Sequence, residues 1–145
     1  MWHFGVWREA EAGRAVAFDV VFAKDCLLPA PGQAPLTCTR QYQPTHTIGH
    51  FRYLECSQLT DTGAPAGDLT PWDEVYFPFA PSLHEAGHLP TIPITPLAQE
   101  APWVEERYTC DAHGIITVEM QNQTCPYTRR FHLRSSAPRD PLPGG

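Results

Sequence analysis

The sequence predicts an all-β domain, an antiparallel β-sandwich of about eight short strands. Three observations lead there. Apolar residues recur with a period of two in several segments, as in Phe18-x-Val20-x-Phe22 and Ile116-x-Val118-x-Met120, the spacing of a half-buried strand with one wet face. Sixteen prolines and ten glycines punctuate the 145 residues, which excludes long helices and favours short strands joined by loops. The stretch from Tyr108 to Met120 holds a reversal, Asp111-Ala-His-Gly114, between two strand-like runs. There glycine permits positive φ, and the aspartate can hydrogen-bond its own turn.

Each element follows from its local pattern. Trp2 to Trp7 forms the first strand, with Trp2, Phe4 and Val6 on one face. Glu9 to Arg14 is a polar loop turning at Gly13. Val16 to Lys24 is the second strand, with Val16, Phe18, Val20 and Phe22 facing inward. Pro29 to Pro35 is a connection, Leu36 to Tyr42 the third strand and Ile48 to Cys56 the fourth. Thr60 to Pro71 is a loop rich in Thr, Asp, Gly and Pro. Asp73 to Phe79 is a fifth strand bounded by prolines. Pro81 to Pro102 carries five prolines and is irregular. Three strands close the fold: one ending Tyr108-Thr-Cys, then Ile115 to Met120, then Tyr127 to Leu133. Residues 1–134 form the domain, and 135–145 read as a mobile Pro/Gly tail.

Composition sets further bounds. A formal net charge of −6, with one lysine against nine arginines, gives no basic stripe for a nucleic-acid partner. No apolar run approaches the ~20 residues that cross a bilayer, and no secretion signal is visible at Met1 onward, so a cytoplasmic site and no membrane partner are expected. Five cysteines, an odd number without a CxxC pair, read as reduced thiols. Asn122-Gln-Thr124 matches a glycosylation acceptor but reads as a polar turn.

FAKDCLLPA (Phe22 to Ala30) resembles the second strand of the substrate-binding β domain of the seventy-kilodalton heat-shock chaperones, the DnaK type. YTCDAHGIITV (Tyr108 to Val118) is similar to that family's Asp-Ala-Asn-Gly-Ile hairpin and the strand after it. HFRYLECSQ (His50 to Gln58) resembles the fourth strand, and Gly67-Asp-Leu with the aromatic strand beyond resembles the fifth. The order agrees from about Phe4 to Leu133. The departures are a longer, charged loop at Glu9 to Arg14, a longer Pro81 to Pro102 connection, no Gly-rich phosphate loop and no helical lid. The resemblance is to a divergent member or an excised domain.

The resemblance implies a cleft between the loops joining strands one and two and strands three and four. An extended apolar peptide would lie there, held by backbone hydrogen bonds and one pocket. Carried over by position, Val6, Leu36, Cys38, Ile48 and Phe51 would line that pocket. The implied partners are unfolded or extended polypeptide and, in a longer protein, a nucleotide-binding domain. No cofactor is implied in this chain; ATP would belong to that other domain.

Two readings compete. His84-Glu-Ala-Gly-His88 matches HExxH, which on a helix would place His84 and His88 one turn apart to grip zinc, with Glu85 as general base of a metallohydrolase. Pro81 and Pro90 leave room for barely two turns, so a polar loop is the expectation. The other competitor is a scaffold or regulatory β module without a cleft. No nucleophile elbow surrounds Ser57, Ser82, Ser135 or Ser136. Glu105 and Glu106, adjacent in a strand, point to opposite faces and cannot cooperate as acid and base. His46, His50 and Arg52 fall on one strand face and read as polar exterior. Trp2, Trp7, Trp72 and Trp103 could line a ligand groove, but such residues more often cap the ends of a sandwich.

Overall fold

The structure is a computed structural model and describes residues 2–10 and 15–136. The turn at Gly13 and most of the expected tail lie outside those residues.

Among the described residues eight strands form: β1 (His3–Ala10), β2 (Ala15–Phe22), β3 (Leu36–Tyr42), β4 (Ile48–Leu59), β5 (Pro65–Pro78), β6 (Val104–Cys110), β7 (Ile116–Asn122) and β8 (Tyr127–Leu133). They make two antiparallel sheets of four, ordered β2-β1-β4-β5 and β3-β6-β7-β8. The inner faces of the two sheets make one core. Phe4, Val6, Phe51, Tyr53 and Phe77 from the first sheet meet Val104, Tyr108, Ile116, Val118 and Met120 from the second. In β6 and β7 every second residue is buried, the alternation of a sheet with one dry face. The domain is an all-β sandwich.

The β6–β7 reversal follows from its residues. Gly114 sits at φ 76°, where a side chain would be strained. The Oδ1 of Asp111 accepts from the backbone N–H of His113 at 2.8 Å and of Ile115 at 3.0 Å. These bonds hold its carboxyl below the ordinary carboxylate range, led by that from Ile115.

Two expectations need correction. Val16, Phe18 and Val20 do not face the core, and Val16 is 57% exposed. The ladder pairs Gly5 with Val20 but Phe4 with Phe22, so Val21 is an extra residue in β2. Such a bulge shifts the alternation by one. Phe22 therefore points inward with Phe4, while Phe18 lies outside against Trp7, ring centroids 5.4 Å apart. A Cβ on Gly5 would stand 2.5 Å from the carbonyl oxygen of Asp19, so only glycine fits beside the bulged strand.

The second correction concerns Thr60 to Pro71, which is not all loop: β5 begins at Pro65 and pairs with β4 almost to its tip. β5 is an edge strand, so Pro65, Pro71 and Pro78 sit where a missing N–H costs little. Between β5 and β6 the chain is irregular, with 3-10 turns at Pro81–Leu83 and Leu89–Thr91. Among the described residues no helix is long and apolar enough to cross a membrane.

Candidate binding cleft

The first sheet is not closed along its length. β1 pairs with β4 only over His3–Val6, opposite Cys56–Tyr53. From Trp7 onward β1 pairs with β2 alone, and from Arg52 back to Ile48 β4 pairs with β5 alone. Two strand edges therefore face each other without a ladder between them. A cleft of about 770 Å³ opens there, lined by Trp7–Glu9 on one side and Ile48–Arg52 on the other. Ala15, Val16 and Asp19 of β2, Arg40–Tyr42 of β3, the β3–β4 connection from Gln43 to His46, and Phe79 and Ile94 complete the lining. Its size is that of binding clefts generally, ~300–1,000 Å³.

Beneath the cleft lies a tightly bonded polar network that reaches the lining through Arg8 and Tyr42. Glu106 of β6 is fully buried. Arg8 of β1 grips it with two parallel hydrogen bonds, Nη1 to Oε2 at 2.8 Å and Nη2 to Oε1 at 2.7 Å. The hydroxyls of Tyr42 and Tyr108 donate to the same carboxylate, and Tyr53 and Tyr108 hydroxyls are 3.0 Å apart. The Arg8 guanidinium also lies over the Tyr42 ring, 5.5 Å from its centroid. Paired this way, two charges joining the sheets are satisfied where a lone one would not be tolerated.

Asp19 extends the network toward solvent. Its Oδ2 accepts from Arg8 Nε at 2.6 Å and from Arg40 Nε at 2.9 Å, and its Oδ1 from Arg40 Nη2 at 3.1 Å. Burial alone would raise this carboxyl; the bonds from Arg40 and Arg8 outweigh it and hold Asp19 below its ordinary value. Burial likewise opposes charge on Arg8, yet the bonds to Glu106 keep it firmly cationic. The hydroxyls of Tyr42, Tyr53 and Tyr108 are pushed well above the usual phenol range, first by burial and next by the Glu106 carboxylate. At the mouth, Glu9 of β1 reaches across to the β3–β4 connection, bonding His46 and accepting from Thr45 Oγ1 at 2.6 Å.

Of the five residues expected to form the pocket, Ile48 and Phe51 line the cleft. Val6 is fully buried one residue before the strands part, opposite Asp19 and Tyr53. Leu36 lies at the other end of β3, opposite Cys110. Cys38 is half-buried with its sulfur 3.0 Å from Arg40 Nη1, and burial, foremost, raises its thiol. Because β3 approaches the cleft with its C-terminal end, Arg40 and Tyr42 stand where Leu36 and Cys38 were expected.

Sequence reasoning missed Arg8, Asp19, Arg40 and Glu106. A signal existed: Arg8 continues the inward phase of Phe4 and Val6, and Glu106 falls between Val104 and Tyr108 on that of β6. Opposite charges on two inward phases have a reason to meet. The expectation that Glu105 and Glu106 diverge agrees with β6, where Glu106 is buried and Glu105 bonds Gln41 at 3.1 Å.

The HEAGH segment does not form an α-helix. It lies between the two 3-10 turns, so the one-turn spacing on which the zinc motif depends is not built. The His84 ring stacks on Tyr127 at 4.1 Å and burial lowers its basicity, while His88 is exposed. Among the described residues no three His, Cys, Asp or Glu side chains are grouped to hold a metal ion. His50 and Arg52 share the outer face of β4, with His50 stacked on Tyr76 at 4.3 Å and bonded to Glu74 at 2.8 Å. His46 lies outside the strand, bridged to Pro96.

Comparison with known proteins finds no matching family model and no matching curated sequence.

Proposed function

We propose that the chain is a chaperone-type substrate-binding module that takes an extended polypeptide segment into the gap between β1 and β4 and does no chemistry on it. The observation that carries this reading is the parting of the two strands beyond Val6 and Tyr53. Each exposes a row of backbone donors and acceptors to the cleft, and an inserted strand can satisfy both rows. Main-chain bonding of this kind binds many sequences alike, and alternate side chains supply selectivity. Ile48, Phe51, Phe79 and Ile94 offer apolar contact in the wall. The cleft is bordered by the β3–β4 connection, one of the two connections between which the resemblance to the DnaK-type substrate-binding domain would set a peptide. In this reading the cytoplasmic partner is unfolded or extended polypeptide. ATP would act only through a nucleotide-binding domain in a longer protein.

The test is titration of fluorescent Leu-rich heptapeptides, each paired with a version carrying proline at its centre. Saturable binding is expected, weakened by central proline because that residue cannot donate to a ladder. Val16→Asp and Ile94→Asp change exposed residues of the lining and should weaken it with the circular dichroism spectrum unchanged. If no peptide of a varied library binds, the reading fails.

A further inference from the structure

The charge arrangement around the cleft points to the class of segment it takes. We infer that it prefers segments bearing an acidic side chain next to apolar ones, and that Arg52 reads the carboxylate; this rests on the peptide-binding reading above.

A strand inserted beside β4 turns alternate side chains to opposite faces of the sheet. One set points into the sandwich, toward Phe51, Phe79 and Arg8. The other points outward, past Trp7 and Val16 on one side and Arg52 on the other. The carboxylates along this path are already engaged. Glu9 is held by Thr45 and His46, and Asp19 by both Arg8 and Arg40. Arg8 and Arg40 are correspondingly neutralised by Asp19 and Glu106.

Arg52 differs. It lies directly across the ladder from Glu74, a position where opposite charges usually pair. Glu74 instead bonds His50 at 2.8 Å. Among the described residues Arg52 makes no hydrogen bond or ion pair, and it is exposed on the cleft wall. Of the charged side chains along the path, Arg52 is thus the one without a hydrogen-bond or ion-pair partner among the described residues, in a chain whose formal net charge is −6. An acidic residue on the outward phase of the bound segment supplies the missing partner.

The experiment uses the full chain and two fluorescent peptides with the same Leu-rich centre, one flanked by aspartate and one by lysine. The aspartate peptide is expected to bind roughly two- to fivefold tighter, the span of an exposed ion pair. High salt should narrow the difference, and Arg52→Glu should reverse it. Equal affinities in the natural chain, a preference for lysine, or a preference unmoved by Arg52→Glu would overturn the inference while leaving peptide binding standing. If neither these peptides nor an uncharged Leu-rich control binds, the binding reading falls and this inference with it.

Discussion

Replacing Arg8 by methionine would strand the Glu106 carboxylate. Its side chain is fully enclosed, and it would keep only the phenolic hydrogen bonds of Tyr42 and Tyr108. Two charge-assisted bonds at 2.7 and 2.8 Å are lost at once. Removing one member of a buried ion pair costs about 3–5 kcal/mol, because the other charge stays behind without compensation. Against a typical total stability of about 5–15 kcal/mol, Arg8→Met should lower Tm by roughly 10–15 °C for a chain of this size. Glu106→Gln in the Arg8→Met background removes the stranded charge and keeps an oxygen for the two phenols. The double variant should therefore regain about half the loss, on the order of 2 kcal/mol. Urea denaturation followed by tryptophan fluorescence measures all three proteins. A loss below about 1 kcal/mol in Arg8→Met, or a double variant no better than the single, would refute the claim that this pair is buried and mutually dependent.

Four further outcomes follow from the same geometry. The native carboxyl of Asp19 lies below its ordinary value of 3.8, so its contribution to stability is complete above that pH and is lost as pH falls through the lower native value; Asp19→Asn should flatten this part of an acid-unfolding curve. Tyr42, Tyr53 and Tyr108 should resist ionisation above the ordinary phenol value of 10.0. Stability should fall as pH rises beyond it, and ultraviolet titration should find these three of the five tyrosines ionising only with unfolding. A thiol reagent should label Cys26 and Cys125 rapidly in native protein, since both are exposed, with Cys56 and Cys110 reacting only on unfolding. Gly5→Ala should cost about 1–3 kcal/mol by crowding the Asp19 carbonyl, measured as a shift in urea midpoint; an unshifted midpoint would mean the bulge yields freely.

The fold was legible where one local rule governed each residue. β3 runs from Leu36 to Tyr42, as its alternation predicts, and the last three strands follow their period and the Asp111–Gly114 turn. Legibility ended where a single residue altered the phase. Nothing local in β2 marks Val21 as the extra residue that turns Phe18 outward. Proline-rich sequence read as loop became strand in β5 because its position at the sheet edge excuses a missing donor. The cleft was half legible: Ile48 and Phe51 line it, but the network beneath it depends on a pairing between Arg8 and Glu106, 98 residues apart. Such a contact is decided by which sheet each strand joins, and strand alternation alone does not carry that information.

The strand order bears on how the chain is assembled during synthesis. β1, β2, β4 and β5 form their sheet among themselves, so that layer can be completed once Pro78 has left the ribosome. β3 is made before β4, yet among the described residues its ladder neighbour is β6 alone, which begins at Val104. Until then Leu36–Tyr42 waits, along with an apolar inner face of the finished layer. Non-local pairing of this kind slows folding. A nascent chain halted before Val104 would thus be a prime target for aggregation or for capture by the cell's folding helpers.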